Sequence, residues 1–390
     1  MIRTSSLVAV LCLLGVSRLG AQRIPVPFPL KVLEESAARD SNDAIAHYFV
    51  ALAYWNEKRY EEAERSLRLS MMLDPKYAEP HLALAYLPYA RRPKLWQERD
   101  KVPEEWKARV EESDREYRRA FLINPFVDLR IIGAVTPRDE GFWRFDYPEL
   151  YEFFQKPYDD IFTGRYPQAC RGFEQLERRW AVVARGPLPR NVYWFKTLCA
   201  ARIGQVDQAI EAMDLLLKEQ ERYEDENSKK LVFTELRTNE YRYIKAILLQ
   251  AQGKKEDAIA LFRTVLEQDI GVYMAHVRMA SLYQEDKQWA EAIAERQHAV
   301  NANPDDPSLL LDLGVTAGLA NDLDLSIDAL SRAGEANPRL AEVAFWTGMV
   351  ELLRGNREEA KRSLTLFLAI APSRWQGKIE VAQKRLEELQ

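Results

Sequence analysis

Small residues stand at equal intervals near the end of the chain: Ala258, Ala292, Ser326 and Ala360, each 34 residues from the next. Pro304, Pro338 and Pro372 keep the same interval. A fixed period of that size means stacked supersecondary units rather than one globular core, because each unit is too small to bury its own apolar face. The period also argues against most enzyme architectures.

Each period reads as helix, turn, helix. Between Pro307 and Leu340, the residues Leu309, Leu310, Leu313, Ala317 and Leu319 fall at helical spacing and make one apolar face. Asn321-Asp322 breaks the pattern. A second stripe runs through Leu323, Ile327, Leu330 and Ala333 until Asn337-Pro338 stops it, since proline cannot continue a helix interior. The unit from Ala341 to Arg374 repeats this order, with Gly348 in its first helix, Gly355 at its turn and Ala371-Pro372 at its end. Ala51, Ala246, Ala280, Gly314 and Gly348 recur at one place in the first helices, and Ala or Ser recurs in the second. Two helices approach closely where neither carries a bulky side chain at the crossing.

These units resemble the tetratricopeptide repeat, whose pattern is W-x2-L-G-x2-Y, then A-x3-F, then P. The matching residues are Leu313-Gly314, Ala169-x3-Phe173, Ala258-x3-Phe262 and the prolines at 75, 125, 304, 338 and 372. The resemblance implies an all-α, right-handed superhelical solenoid of stacked helix-turn-helix repeats. Four regular repeats fill 239–374. Two looser ones fill 44–125, the second stretched by an insertion near 89–103. Degenerate copies, with turns at Gly164 and Gly204, cover 158–238. Residues 375–390 read as a capping helix: Ile379, Ala382, Leu386 and Leu389 face one way, with Lys, Glu and Gln between them, as the exposed end of a repeat stack requires.

The start of the chain is a different object. Arg3 precedes an apolar run, Leu7 to Val16, and Leu19-Gly20-Ala21 offers a small-residue cleavage site. That layout predicts a secretory signal peptide over 1–21. The run is short of the roughly 20 apolar residues a membrane span needs. The mature chain then has no integral membrane span and is expected to be periplasmic or secreted, with a membrane-associated complex as one setting. Residues 22–43 open with Pro25, Pro27 and Pro29, which force extended backbone, and are expected to be a proline-rich linker.

Composition sets bounds on partners. The chain is 47% apolar and 29% charged, ordinary for a folded protein, and its formal charge of −5 becomes −7 without Arg3 and Arg18. Repeat proteins that read RNA need a sustained basic face. Arg91-Arg92, Arg118-Arg119 and Arg178-Arg179 are short and ringed by acids, so no nucleic acid is expected.

Chemistry is sparse. His47, His81 and His276 share one place early in a first helix, so repeat position explains them better than catalysis. There is no His-Glu-x-x-His, no Gly-x-Ser-x-Gly and no phosphate-binding glycine loop. No catalytic residue, cofactor or metal site is predicted. Cys170 and Cys199 fall on the second helix of one repeat and the first helix of the next. In an oxidising compartment they can pair; the other reading is two buried thiols acting as small apolar residues.

Two regions are candidates for binding. Residues 126–157 escape the repeat and are rich in aromatics, among them Phe142, Trp143, Phe145 and Tyr147. Such residues on a loop serve either as a binding platform or as a plug for the solenoid interior. The second candidate comes from the resemblance. Its groove-facing places carry onto Tyr48, Leu52 and Trp55, then Tyr86 and Tyr89, then Trp194 and Leu198, then Tyr243 and Ile247, with Phe345 in the last repeat. Family members that clamp an acidic chain end use Lys, Arg and Asn there. Aromatic and aliphatic residues here imply an apolar or extended peptide instead, unless the insertions bury them. The expected function is a non-catalytic cell-envelope scaffold for a protein or peptide partner. A hydrolase or carbohydrate-active site in the aromatic insertion is one alternative, and a self-associating subunit of an envelope complex is the other.

Overall fold

The computed structural model describes residues 23–96, 101–135, 150–184, 186–230 and 237–389. Among them lie nineteen α-helices and no strand. Sixteen form successive pairs: α2 (Ala44–Asn56) with α3 (Tyr60–Leu73), α4 (Ala78–Arg91) with α5 (Glu104–Ile123), α7 (Tyr151–Phe162) with α8 (Tyr166–Val183), and α9 (Arg190–Arg202) with α10 (Val206–Lys229). The pairs continue with α11 (Thr238–Gln252) and α12 (Lys255–Gln268), α13 (Met274–Glu285) and α14 (Trp289–Ala302), α15 (Pro307–Leu319) and α16 (Leu323–Ala336), and α17 (Ala341–Arg354) and α18 (Arg357–Ile370). Outside the pairs stand α1 (Leu30–Arg39), α6 (Arg130–Val135) and α19 (Gln376–Glu387).

One repeat shows how sequence becomes hairpin. Asp306 caps α15 by accepting from the Ser308 amide at 3.0 Å, and Pro307 takes the first helical position, where a missing N–H costs nothing. The chain then turns through Asn321 in the left-handed region (φ 65°). Asp322 caps α16 by accepting from Leu325 N at 3.2 Å. The same left-handed turn falls at Gly253, Lys287 and Gly355, which with Asn321 keep the 34-residue step. The recurrent small residues of the second helices, Ala63, Ala169, Ala209, Ala258, Ala292, Ser326 and Ala360, are all 0% exposed, so they sit at helix crossings. Ser326 satisfies its buried hydroxyl by donating to the Gly314 carbonyl at 2.7 Å. Gly314 is itself at the crossing: a Cβ there would lie 2.7 Å from Leu330 Cγ, and one at Gly348 would lie 2.7 Å from Leu364 Cγ.

The chain divides into two compact units. One contains Ala85–Asp269, in which α7 through α12 each pack on the next helix in the chain. The other joins Val26–Leu84 to Ile270–Gln390. In it α1 packs on α2 and α2 on α3, while α13 through α19 pack in succession. The cap is α19: Ala382 is fully buried, with Ile379 and Leu386 against the Leu364–Phe367 cluster.

Three expectations change. Residues 22–43 are not a linker throughout: α1 occupies Leu30–Arg39. The prolines end at Pro29, which begins the helix, and Leu33 and Ala37 then pack on Val50 and Ala53. The insertion near 89–103 is shorter, because α4 runs on to Arg91 and Pro93–Trp96 forms a 3-10 turn. Residues 126–157 do not escape the repeat throughout: α7 begins at Tyr151 and pairs with α8, while Val127, Ile131 and Ile132 before it are buried. Residues 1–22, the predicted signal peptide, lie outside the described residues. No described helix is long and apolar enough to cross a membrane.

Candidate functional site

The structure buries nine of the ten groove residues predicted from sequence, and contacts in the chain itself cover several of them. Tyr48, Leu52 and Trp55 are buried, with the Tyr48 ring edge-on to Tyr77 at 5.2 Å. Tyr86 and Tyr89 are buried, and Tyr86 meets Tyr117 of α5 at 6.2 Å. Leu198 and Ile247 are buried. Tyr243 is 0% exposed and donates its hydroxyl to the Leu122 carbonyl at 2.6 Å, so the end of α5 fills the space in front of α11. Phe345 is covered by Phe367 and Trp346, with the Lys378 ammonium of α19 6.0 Å from its ring. These nine therefore act as core. The resemblance places them on the groove face but does not show that α5 lies against Tyr86 and Tyr243 or that Lys378 of the cap reaches Phe345.

Trp194 is the exception. It is half-buried and stacks on Tyr241 with ring centroids 6.4 Å apart. One turn earlier on α9, the Arg190 guanidinium lies 3.5 Å over the ring of Tyr223, which is 38% exposed. A cleft of about 200 Å³ opens beside Arg190 and Tyr223, between the segment 187–190 and the face of α10 that carries Glu219, Arg222 and Tyr223. Glu224, next to Tyr223 on α10, turns to the start of α11: one carboxylate oxygen accepts from Arg237 N at 2.8 Å, Thr238 N at 3.1 Å and Gln220 Nε2 at 2.7 Å. It thereby serves the free amides at the start of α11. Burial pushes the Tyr241 hydroxyl above its ordinary pKa, so the ring stays neutral. The patch is aromatic with paired charges.

The other candidates fall as follows. Cys170 of α8 and Cys199 of α9 form a disulfide, with Cα atoms 5.6 Å apart, which staples two successive hairpins. The platform residues Phe142, Trp143, Phe145 and Tyr147 lie outside the described residues. His47 and His81 make the same bond, each ring nitrogen meeting the carbonyl six residues earlier (Ser41 O at 3.0 Å, Pro75 O at 3.2 Å), so both serve the repeat. His276 instead meets Glu295 at 2.6 Å.

A second polar arrangement was not foreseen from the sequence. Arg296, buried on α14, donates to Val277 O at 3.2 Å, Ser281 Oγ at 3.2 Å, Thr316 Oγ1 at 3.3 Å and Asp312 Oδ2 at 3.3 Å. It ties α13 to α15 and holds Asp312 by one oxygen. The other oxygen of Asp312 takes the Lys76 ammonium.

The tetratricopeptide-repeat family matches residues 44–77 and, through a second profile, 243–307. The chain carries tetratricopeptide repeats over both of those stretches. Similar solved structures include MamA 41-end from Desulfovibrio magneticus RS-1 (18% identical, covering 46% of this chain and 94% of that one, TM-score 0.39). Another is the C-terminal part of a TPR repeat-containing protein from Cytophaga hutchinsonii (14%, 60% and 95%, TM-score 0.46). A third is YrrB, described as a TPR protein with an unusual peptide-binding site (15%, 50% and 92%, TM-score 0.37). No curated protein matches the chain. Tetratricopeptide-repeat proteins bind protein or peptide partners, and the hairpins described above support a protein-interaction scaffold.

Proposed function

We propose that this chain is an exported, non-catalytic scaffold that captures a protein partner on the α9–α10 face around Trp194. The observation that carries this reading is the half-open Trp194–Tyr241 stack beside the Arg190–Tyr223 cleft, where the other predicted groove residues are closed. An aromatic anchor next to a cleft concentrates binding energy, because a rigid ring buries large area at little entropic cost. The Cys170–Cys199 disulfide supports export, since such bonds persist in oxidising compartments, and the apolar run Leu7–Val16 supports a leader.

The test is partner capture. Cross-linking the protein in its own cells identifies what is attached, and the Trp194→Ala chain is then compared with wild type. Truncating a central anchor costs about 2 kcal/mol, close to thirtyfold in affinity, with helical content unchanged. Equal capture by both chains removes this face from the reading. Retention of the chain in the cytoplasmic fraction would remove export.

A further inference from the structure

One end of the first hairpin is held by repeats near the other end of the chain, all within one compact unit. Asp40 Oδ2 accepts from the Ser373 amide and hydroxyl, both at 2.7 Å. Asp43 accepts from Arg374 Nε at 2.9 Å. Asn337, buried at the end of α16, donates its amide to the Met72 carbonyl at 2.7 Å. Lys76 meets Asp312. Arg339 Nη2 also donates to Asn42 Oδ1 at 3.4 Å. Residues 40–43 lead into α2 and 72–76 close α3, so all five contacts come from the same end of one antiparallel pair.

Part of this joint is fixed in advance. Buried Arg296 grips one oxygen of Asp312 from behind and leaves the other facing Lys76. Asn337 has its carbonyl oxygen occupied by the Arg339 amide at 3.1 Å, which aims its NH2 at a main-chain carbonyl. A carboxylate and a backbone-reading amide recognise a lysine in an extended segment without requiring other side chains. The ion pairs that cross the joint are loose. The side chain of Lys76, on the hairpin, is 45% exposed and that of Arg374, on the opposite side, 36%, and exposed ion pairs contribute little and weaken with salt. No helix of α1–α3 lays its length along a helix of α15–α19.

We infer that this joint is a clasp that opens, and that the face beneath it, centred on Asp312 and Asn337, accepts a lysine-bearing segment of a partner in place of residues 72–76. The chain's own turn then acts as a competitor that keeps the face occupied until a better-fitting basic segment arrives. The Trp194 surface belongs to the other unit, so the two readings stand or fall separately.

The experiment uses the full chain carrying Asp40→Ala, Asp43→Asn and Lys76→Ala. Asparagine is chosen at 43 because the Asp43 side chain also caps α2 by accepting from Ile45 N, a task asparagine performs as well. The probe is a fluorescent peptide with the sequence of residues 70–78. Expected are amide exchange at Ser373 and across 337–342 at least tenfold faster than wild type, and probe binding at least tenfold tighter. A probe with Lys76→Glu is expected not to bind. Asp312→Asn, which leaves the hairpin sequence intact, is expected to speed exchange at 72–76 and to bind no probe. Unchanged exchange in both variants overturns the clasp, and equal probe binding by wild type and the triple variant overturns the acceptor.

Discussion

Tyr243→Phe isolates one hydrogen bond on which the filled inner face depends. The helix α5 ends at Ile123, so the Leu122 carbonyl is one of the terminal carbonyls left without an intrahelical partner. Pro125 has no amide hydrogen, and the Phe126 amide donates instead to Asn124 Oδ1 at 3.0 Å. The Tyr243 hydroxyl satisfies Leu122 at 2.6 Å from 121 residues away. Phenylalanine keeps the ring contacts with Phe121 (6.3 Å) and Phe262 (5.9 Å) and removes only the donor. A buried acceptor left unmade costs about 1–3 kcal/mol. If that cost appears as easier local opening, amides in α5 and α11 exchange roughly 5- to 150-fold faster. Native-state hydrogen exchange reads this directly, without assuming that two units unfold together. Exchange within twofold of wild type would show that the bond carries no weight and that α5 does not close this face. Tyr243→Ala, which also loses the ring, is expected to cost more, by about 3–5 kcal/mol in total.

Gly348→Ala is expected to lower the melting temperature: its Cβ would lie 2.7 Å from Leu364 Cγ, overpacking costs about 1–3 kcal/mol, and the better helix propensity of alanine returns at most about 1 kcal/mol. Reducing the Cys170–Cys199 disulfide, which closes a loop of sequence separation 29, is expected to remove about 3–4 kcal/mol from that part of the fold, read as a lower thermal midpoint with reductant present. Tyr166 gives an alkaline signature. Burial, and then the Asp128 charge, push its pKa to about 12 against an ordinary 10.0. The folded state therefore holds the proton more tightly than the unfolded state. This contribution is complete below pH 10 and is lost as pH rises from about 10 to 12, by of order 2–3 kcal/mol. Tyr166→Phe is expected to flatten that part of a stability–pH curve, and an unchanged alkaline slope would remove the assignment.

What the sequence discloses is what repeats. The interval shared by Ala258, Ala292, Ser326 and Ala360 fixes the helix crossings, and Asn337-Pro338 and Gly355 fix where helices stop and turn. Each of these is a local constraint, so it leaves a local trace. The cover over the inner face leaves none. Tyr243 has the same apolar character whether a partner or the end of α5 lies in front of it. Asp40, Asp43 and Lys76 look like ordinary solvated charges until Ser373, Arg374 and Asp312 are brought beside them. The linker reading failed for a similar reason: Pro25, Pro27 and Pro29 dominate the eye, while Leu33 and Ala37 carry an apolar stripe too short to stand out without α2 to receive it. Asn337 resembles any residue that ends a helix before proline, and only its amide's position against Met72 distinguishes it.

The claim beneath all of this is that each hairpin borrows its buried surface from the next. Val350 of α17 closes on Gly318 of α15, with its Cγ2 3.1 Å from where a Cβ on Gly318 would be. Ending the chain after Leu340 removes α17, α18 and α19 and uncovers that face. The account predicts that the shortened chain melts at a lower urea concentration than the full one, with α15 and α16 the first helices to lose protection. A shortened chain with the same midpoint, and with α15 and α16 as well protected as before, would contradict it.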